Sequence, residues 1–315
     1  MAPAQCLAYD ARMEHAGLPP TAPEQIDRML ETVLGAYRMR VEVTSDVRYC
    51  GTWFDREPAT RHGQFHLVTG GECWVSGEAL ASPVHLGPGD LIVFPAGVRH
   101  LLSSGRDPHV PDPACDPADT CMLCGELEFL SGAGNPIFNA LPEYFVVRSS
   151  ESGEEFRQIA DLLTAGSRDR RWGRQVVQNK LADSLFTMAV CEYVRRAQQP
   201  RGLLAALVDA RLSKALVAVH ARPGENWTIQ AMAQAAGMSR TAFAELFTHT
   251  VGVPPIQYLA LWRANEARRM LMDRRHSVAT IAERLGYRSE AAFRRFFKRI
   301  AGVGPGRVRQ GTDSS

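Results

Sequence analysis

Near the C-terminal end, Glu290, Ala291, Arg294, Arg295, Lys298 and Arg299 recur three and four residues apart. That spacing places side chains on adjoining faces of one helix. Arginine and lysine hold phosphate oxygens, arginine can also grip a guanine edge with two donors, and glutamate can accept from cytosine. Ser239, Arg240, Thr241 and Glu245 form a similar set about fifty residues upstream. Sulfur and imidazole carry a different chemistry. Cys115, Cys121 and Cys124 stand in Cys-x5-Cys-x2-Cys order behind His109, and His62, His66 and His100 lie further upstream. Such groups suit Zn²⁺ or Fe²⁺, and thiols also suit redox sensing.

The two charged sets sit in one repeated pattern, from Thr228 to Phe247 and from Ser277 to Arg299. In each, a short helix with Ile and Ala on its inner face reaches a glycine, Gly237 or Gly286, that can take a left-handed conformation. A serine soon after, Ser239 or Ser289, can cap a second helix. Phe243 and Phe247, or Phe293 and Phe296, then point inward and turn the charged residues outward. The pattern predicts a helix, a tight turn and a recognition helix able to lie in a DNA major groove. Arg240, Thr241, Glu245, Glu290, Ala291, Arg294 and Arg295 are expected at bases, and Lys298 and Arg299 at phosphate. A single copy would also suit a buried helical hairpin; two copies favour DNA.

The spacing and motif residues resemble the DNA-binding domain of the AraC/XylS regulator family, over about Arg211 to Arg309. The resemblance includes the joining helix Gln257-Tyr258-Leu259-Ala260-Leu261-Trp262-Arg263-Ala264-Asn265-Glu266-Ala267 and the closing Gly302-Val303-Gly304-Pro305. Where the family has Ser-Pro and then Tyr-Arg, this chain has Gly304-Pro305-Gly306-Arg307-Val308.

Charge supports the same reading. Residues 1–210 hold 19 Lys and Arg against 27 Asp and Glu, whereas residues 211–311 hold 17 against 6. A basic C-terminal part joined to an acidic N-terminal part is what phosphate binding predicts. The chain of 315 residues is long enough for two domains. It has no apolar run of membrane-spanning length, and its start lacks the pattern of a signal peptide. Seven cysteines form no regular framework. A cytoplasmic location with reduced thiols is the expectation.

Between Tyr37 and Val147, short β-type runs alternate with Gly, Pro and Asp, among them Met39–Thr44, Gly63–Thr69, Cys73–Ser76, Leu91–Phe94 and Leu127–Leu130. This predicts an antiparallel sandwich or barrel. Gly89-Asp90-Leu91-Ile92-Val93-Phe94-Pro95-Ala96-Gly97-Val98-Arg99-His100 resembles the second cupin motif, and Phe65-His66-Leu67-Val68-Thr69-Gly70-Gly71 resembles the strand and turn of the first. The resemblance implies a cupin sensor barrel of the kind some AraC-type regulators carry. Four-residue spacing would put His62 and His66 on one strand face, and with His100 they are candidate ligands for a divalent metal. The cupin His-x-His pair and Glu are missing, so packed or hydrogen-bonded histidines without a cofactor are the preferred expectation.

Three readings stand for the cysteines. Cys121 and Cys124 are buried strand residues on opposite faces; or Cys115, Cys121 and Cys124 hold a zinc with His109; or one or more are redox-sensing thiols. Thr120-Cys121-Met122-Leu123-Cys124-Gly125, placed between a cupin and two helix-turn-helix motifs, is similar to the AraC-type regulators that sense reactive chlorine species. That resemblance implies a sensing role for Cys121 and, on a looser match around Tyr49-Cys50-Gly51-Thr52-Trp53, for Cys50. Cys6, Cys73 and Cys191 have no motif around them.

Helical periodicity spans Glu154 to Leu163 and about Arg174 to Arg196. The two helices could cover the barrel or pair with a second chain; the resemblance favours a homodimer. Gln198 to Gly202 reads as a linker. The expected organisation is α+β: an arm and helix over 1–36, a cupin-like β-barrel sensor over 37–150, a helical linker and dimerisation region over 151–200, and an all-α DNA-binding domain with two helix-turn-helix motifs over 205–311. The expected function is a non-enzymatic regulator whose partners are double-stranded operator DNA, a second copy and, for an activator, RNA polymerase, with no membrane. The preferred signal is cysteine oxidation. A small organic effector in the barrel, lined by Trp53, Trp74 or Phe65, is one alternative, and a cupin enzyme with a DNA-binding tail is another.

Overall fold

The computed structural model describes residues 30, 33–34, 39–107, 120–129, 138–167, 173–196 and 201–310. After helical residues at 30 and 33–34, the described residues hold nine antiparallel strands: β1 (Met39–Tyr49), β2 (Phe54–Glu57), β3 (Gly63–Gly70), β4 (Cys73–Ser76), β5 (Val84–Leu86), β6 (Leu91–Phe94), β7 (His100–Ser103), β8 (Thr120–Phe129) and β9 (Phe145–Val147). They form two sheets, β1-β8-β3-β6-β9 and β2-β7-β4-β5. Period-2 alternation sends Val68, Ile92, Phe94, Met122 and Cys124 of the larger sheet, with Cys73, Val75 and Leu102 of the smaller, into one buried cluster between them. Side chains of the larger sheet's other face, including Phe65, Leu67, Leu91, Val93, Leu123 and Leu127, pack beneath helices α1 (Glu154–Ser167) and α2 (Arg174–Arg196). The cupin-like motif acts as a structural clasp. Asp90 accepts hydrogen bonds from the backbone N–H groups of Gly87 and Ser149 and from Arg148, at 3.1, 2.9 and 2.7 Å.

Sequence signals and strands differ in informative ways. β1 runs five residues past the expected Met39–Thr44, because a bulge between Val43 and Ser45 exchanges its two faces. Val41 and Val43 face the helices before the bulge; Val47 and Tyr49 join the interior cluster after it. β2, β5, β7 and β9 have three or four residues each, too few for a period to stand out. Leu127 belongs to the long strand β8, and Leu130 lies outside the described residues, as do the N-terminal arm and Gln198–Pro200. Gly202, expected in the linker, begins a helix.

β1 is an edge strand, and α2 covers its outward backbone groups. The N–H of Val41 donates to Asp183 (2.8 Å), that of Val43 donates to Asn179 (3.1 Å), and the Gln175 amide donates to the Val43 carbonyl (2.7 Å). The three side chains are four residues apart, so one face of one helix serves this stretch of the edge.

The C-terminal helices are α3 (Gly202–Val208), α4 (Leu212–Ala221), α5 (Ile229–Ala235), α6 (Arg240–Val251), α7 (Pro255–Asp273), α8 (Val278–Arg284), α9 (Glu290–Ala301) and α10 (Pro305–Gln310). The helix pairs α5–α6 and α8–α9 are joined by turns in which Gly237 (φ +67°) and Gly286 (φ +78°) take left-handed backbone. The long helix α7 connects the two units. Its Arg263 donates to the carbonyls of Pro223 and Glu225, 2.7 Å each, and its guanidinium lies over the Tyr287 ring. The backbone of Gly224 presses against Gly286 so closely that a Cβ on Gly286 would fall 2.0 Å from the Gly224 carbonyl oxygen. Around Gly237 there is open space. Within the first unit, His220 is buried, stacks on Trp262 and pairs with the Tyr258 hydroxyl at 2.6 Å; burial lowers its pKa to about 3.

Three predictions follow from this packing. Asn179→Ala with Asp183→Ala strands two edge N–H groups, at a cost of about 1–3 kcal/mol each, read as a lower denaturant midpoint. Gly237→Ala costs about 1–2 kcal/mol of backbone strain, whereas Gly286→Ala adds about 1–3 kcal/mol of overpacking; thermal unfolding of the two variants checks the order. In the unfolded chain His220 takes a proton near its ordinary 6.5, but in the fold only near 3. Stability is therefore full above the unfolded pKa and falls as pH drops below it, by up to about 1.4 kcal/mol per unit until the folded pKa is reached. His220→Gln should flatten that part of the stability profile.

Candidate nucleic-acid interface and sensor site

Both recognition helices begin on a capped serine. The Ser239 hydroxyl accepts from the Ala242 N–H at 3.3 Å, and the Ser289 hydroxyl accepts from the Ala292 N–H at 3.2 Å. Each cap satisfies a backbone donor that the first helical turn leaves open. In α6, Phe243 and Phe247 are buried while Arg240, Thr241 and Glu245 are exposed. In α9, Phe293, Phe296 and Phe297 are buried and Ala291, Arg294, Arg295, Lys298 and Arg299 are exposed. Glu290, half-buried in the first turn, and Lys298 and Arg299 in the last have the signs that the helix dipole favours. Two features add to the sequence reading. Arg288 is exposed in the turn just before α9. Glu290 and Arg294 form an ion pair, with Arg294 Nε 2.7 Å and Nη2 2.6 Å from the same Glu290 oxygen. Their four-residue spacing was the available signal.

In the sensor barrel, His66 and His100 are both buried, with their Nε2 atoms 2.7 Å apart. His100 Nδ1–H donates to the Val98 carbonyl at 2.8 Å, so its Nε2 accepts and His66 Nε2–H donates. The His100 ring also stacks on Phe94 at 3.9 Å between centroids. Burial pushes both imidazoles below their ordinary pKa, and for His66 the neighbouring ring adds to the effect. His66 Nδ1 and Gln64 Oε1 have no hydrogen-bond partner among the described residues.

This geometry does not fit a cupin metal. The two Nε2 atoms bond each other, and at 2.7 Å they are too close to flank an ion at about 2.0–2.1 Å from each in tetrahedral geometry. His62 is exposed and precedes β3, so it does not share the interior face with His66 as expected. Among the described residues no group of three or more His, Cys, Asp or Glu is placed to hold a metal ion.

The cysteines separate by face. Cys124 and Cys73 are buried in the barrel interior, and burial raises both thiols to about 12. A thiol held protonated by burial is a poor nucleophile, which weighs against a redox role for Cys124. Cys121 lies on the other face of β8 and is half-buried. Cys121 and Cys124 therefore cannot turn toward one zinc ion; Cys115 and His109 lie outside the described residues, as does Cys6. Arg48 stands opposite Cys121 in the ladder and Gly70 flanks it on β3. Cys50 is exposed immediately after β1, two residues beyond Arg48. If the strand alternation ran one residue past Tyr49, Cys50 would fall on the Cys121 face as a diagonal neighbour, about 7–8 Å away between backbones.

Of the aromatic residues expected to line the barrel, only Trp53 borders its interior, stacked on Tyr49 at 4.1 Å. Phe65 faces the helices. Trp74 alternates with the interior residues Cys73 and Val75 and packs against His85.

Comparison with known proteins fits this architecture. The cupin family matches residues 28–195, more than half of the chain, and a helix-turn-helix domain family matches residues 232–311. The chain is 30% identical over 228 residues to the RCS-specific HTH-type transcriptional activator RclR of Escherichia coli K12, covering 71% of this chain and 76% of that one. A putative AraC-like transcription regulator of Streptomyces lividans is 28% identical over 305 residues, 89% of this chain and 97% of that one. The DNA-binding domain of AdpA, solved in complex with a target DNA, is 30% identical, covers 33% of this chain and 93% of that one, and has a TM-score of 0.31. Among the described residues no helix is long and apolar enough to cross a membrane. With a cupin domain ahead of paired helix-turn-helix units, and relatives that share most of its length and are named as transcription regulators, the chain belongs to the AraC-type DNA-binding transcriptional regulators.

Proposed function

We propose that this regulator, working in the cytoplasm, responds to oxidation of Cys121, with Cys50 as its resolving partner. The observation that supports the proposal is that Cys50 is exposed just past the end of β1, two residues beyond the Arg48 that pairs with half-buried Cys121. The RCS-specific relative supports the choice of reactive chlorine as oxidant. Hypochlorous acid transfers Cl⁺ to the Cys121 sulfur, forming an S–Cl bond and releasing water with the thiol proton. The Cys50 thiolate then attacks that sulfur, chloride leaves, and the thiol's proton goes to solvent. The net change is two thiols oxidised to one disulfide and hypochlorous acid reduced to chloride and water. Closing the bond brings the Cα atoms to about 5.5–6 Å, so the end of β1 must shift toward β8.

Arg240, Thr241, Glu245, Ala291, Arg294 and Arg295 read bases in this proposal, Glu290 lies beside them on the same surface, and Lys298 and Arg299 hold phosphate, with Ser239 and Ser289 fixing the helix starts. A homodimer forms through α1 and α2, where Leu162, Val176 and Val177 are 56%, 65% and 58% exposed. Oxidation shifts a balance between two dimer arrangements, and an activating arrangement contacts RNA polymerase. A second reading rests on the unpartnered acceptors His66 Nδ1 and Gln64 Oε1: a small effector in the barrel supplies the donors they lack.

A gel shift on the protein's own upstream DNA, reduced and then treated with stoichiometric hypochlorous acid, tests the signal. Wild type should change affinity on oxidation and yield a Cys50–Cys121 crosslinked peptide. Cys121→Ser should bind as reduced wild type under both conditions, and Cys50→Ser should lose the crosslink. An unchanged oxidant response in both variants would sink the thiol reading and turn attention to the barrel. Arg295→Ala serves as the DNA-contact control and should weaken specific binding by about 1–3 kcal/mol.

A further inference from the structure

We infer that Glu290 is a specificity-determining residue that holds Arg294 in position to read a guanine. The inference rests on the reading of α9 as a DNA-reading helix. A guanidinium offers two edges that can each give paired hydrogen bonds: Nε with Nη2, and Nη1 with Nη2. One oxygen of Glu290 occupies the first edge, at 2.7 and 2.6 Å. The second edge, outermost on a side chain 50% exposed, is left to donate. Two donors in that arrangement match the O6 and N7 acceptors that guanine presents in the major groove.

Position favours the pair. Glu290 opens α9 directly after the Ser289 cap, where the helix dipole stabilises a carboxylate, and it precedes Arg294 by four residues, the better order for an ion pair. Arg294 follows Phe293 and precedes the buried Phe296, so its backbone is anchored by core packing on both sides. The cost of ordering a long arginine is then met before DNA arrives. An arginine without such a partner must be ordered by the base itself. A carboxylate beside the groove also repels phosphate, so Glu290 lowers general affinity while sharpening choice.

The test is selection by the full-length protein from a duplex pool randomised over about two helical turns, followed by sequencing. Wild type should enrich guanine at one position, and Arg294→Ala should reduce that preference by about 5- to 150-fold. Glu290→Ala should lose most of the same preference, and the double variant should be no worse than Arg294→Ala alone. Glu290→Ala should also bind random-sequence DNA at least as tightly as wild type, an outcome that simple helix damage would not produce. Glu290→Gln keeps an acceptor for the guanidinium and should retain part of the preference. If Arg294→Ala loses the guanine preference while Glu290→Ala keeps it, or if the two losses add, the inference is wrong while α9 still reads DNA. If Arg294→Ala and Arg295→Ala both select the wild-type sequence with wild-type affinity, the assignment of α9 fails and the inference fails with it.

Discussion

The buried apolar layer above the five-stranded sheet is the feature on which the other elements depend. It begins with Phe65, Leu67, Leu91 and Leu123 on the sheet, continues through Phe156, Leu163, Leu185 and Phe186 of the covering helices, and passes by Ala140 and Leu141 to Leu203, Leu204 and Leu207. From there it runs without a break into Phe243, Phe247, Tyr258 and Trp262. The first recognition helix is thus seated in the same core as the sensor's outer face. Burial of this kind contributes about 25 cal/mol for each Å² of apolar surface removed from water, and it orders each element by what the next one covers. The approach is tight at one point: a Cβ on Gly202, whose φ is +59°, would lie 2.9 Å from the Ala140 Cβ.

The layer also explains why each face of β8 has its own chemistry. Residues turned inward meet a second sheet and are fully desolvated, which raises the Cys124 thiol and leaves His66 and His100 neutral and bonded to each other. Residues turned outward lie under α2 only where α2 reaches. It covers β1 at Val41 and Val43 through Asp183, Asn179 and Gln175. Farther along the same strand Asp46 and Arg48 are exposed, as is Cys50 just beyond it. Exposure of this end of the sheet is what sets Cys50 apart from the buried Cys73 and Cys124.

Much of this was legible in the chain. The paired helix-turn-helix units were, because each carries several local signals that agree: a periodic apolar face, a glycine at the turn and a serine cap. The second cupin-like motif was legible because Gly89, Pro95, Gly97 and His100 fall at fixed spacings around one apolar run. Of the short strands, β4 and β6 were legible from their apolar and aromatic residues, whereas β2, β5, β7 and β9, with only three or four residues each, were not. The exchange of faces at the Val43/Ser45 bulge was hidden for a related reason. One unpaired residue reverses everything beyond it without leaving a mark in composition. Spacing alone also misled at His62, where a four-residue interval predicts a shared strand face but the strand begins one residue later.

The second helix-turn-helix unit stands apart from the apolar layer. Phe293, Phe296, Phe297, Ile281 and Leu285 form their own core, separate from the one that joins the sensor to the first unit. Its register against the first unit is set by α7 and by a small polar joint: Arg263 on two carbonyls, and two glycine backbones in close contact. A joint made of backbone contacts and a single guanidinium has little tolerance in position, because no side chain there can repack. The distance between α6 and α9 is therefore fixed by local geometry within the DNA-binding half, while the placement of α6 relative to the sensor is fixed by apolar packing. A displacement of the sensor's outer face would meet α6 before α9, because only α6 shares its apolar core.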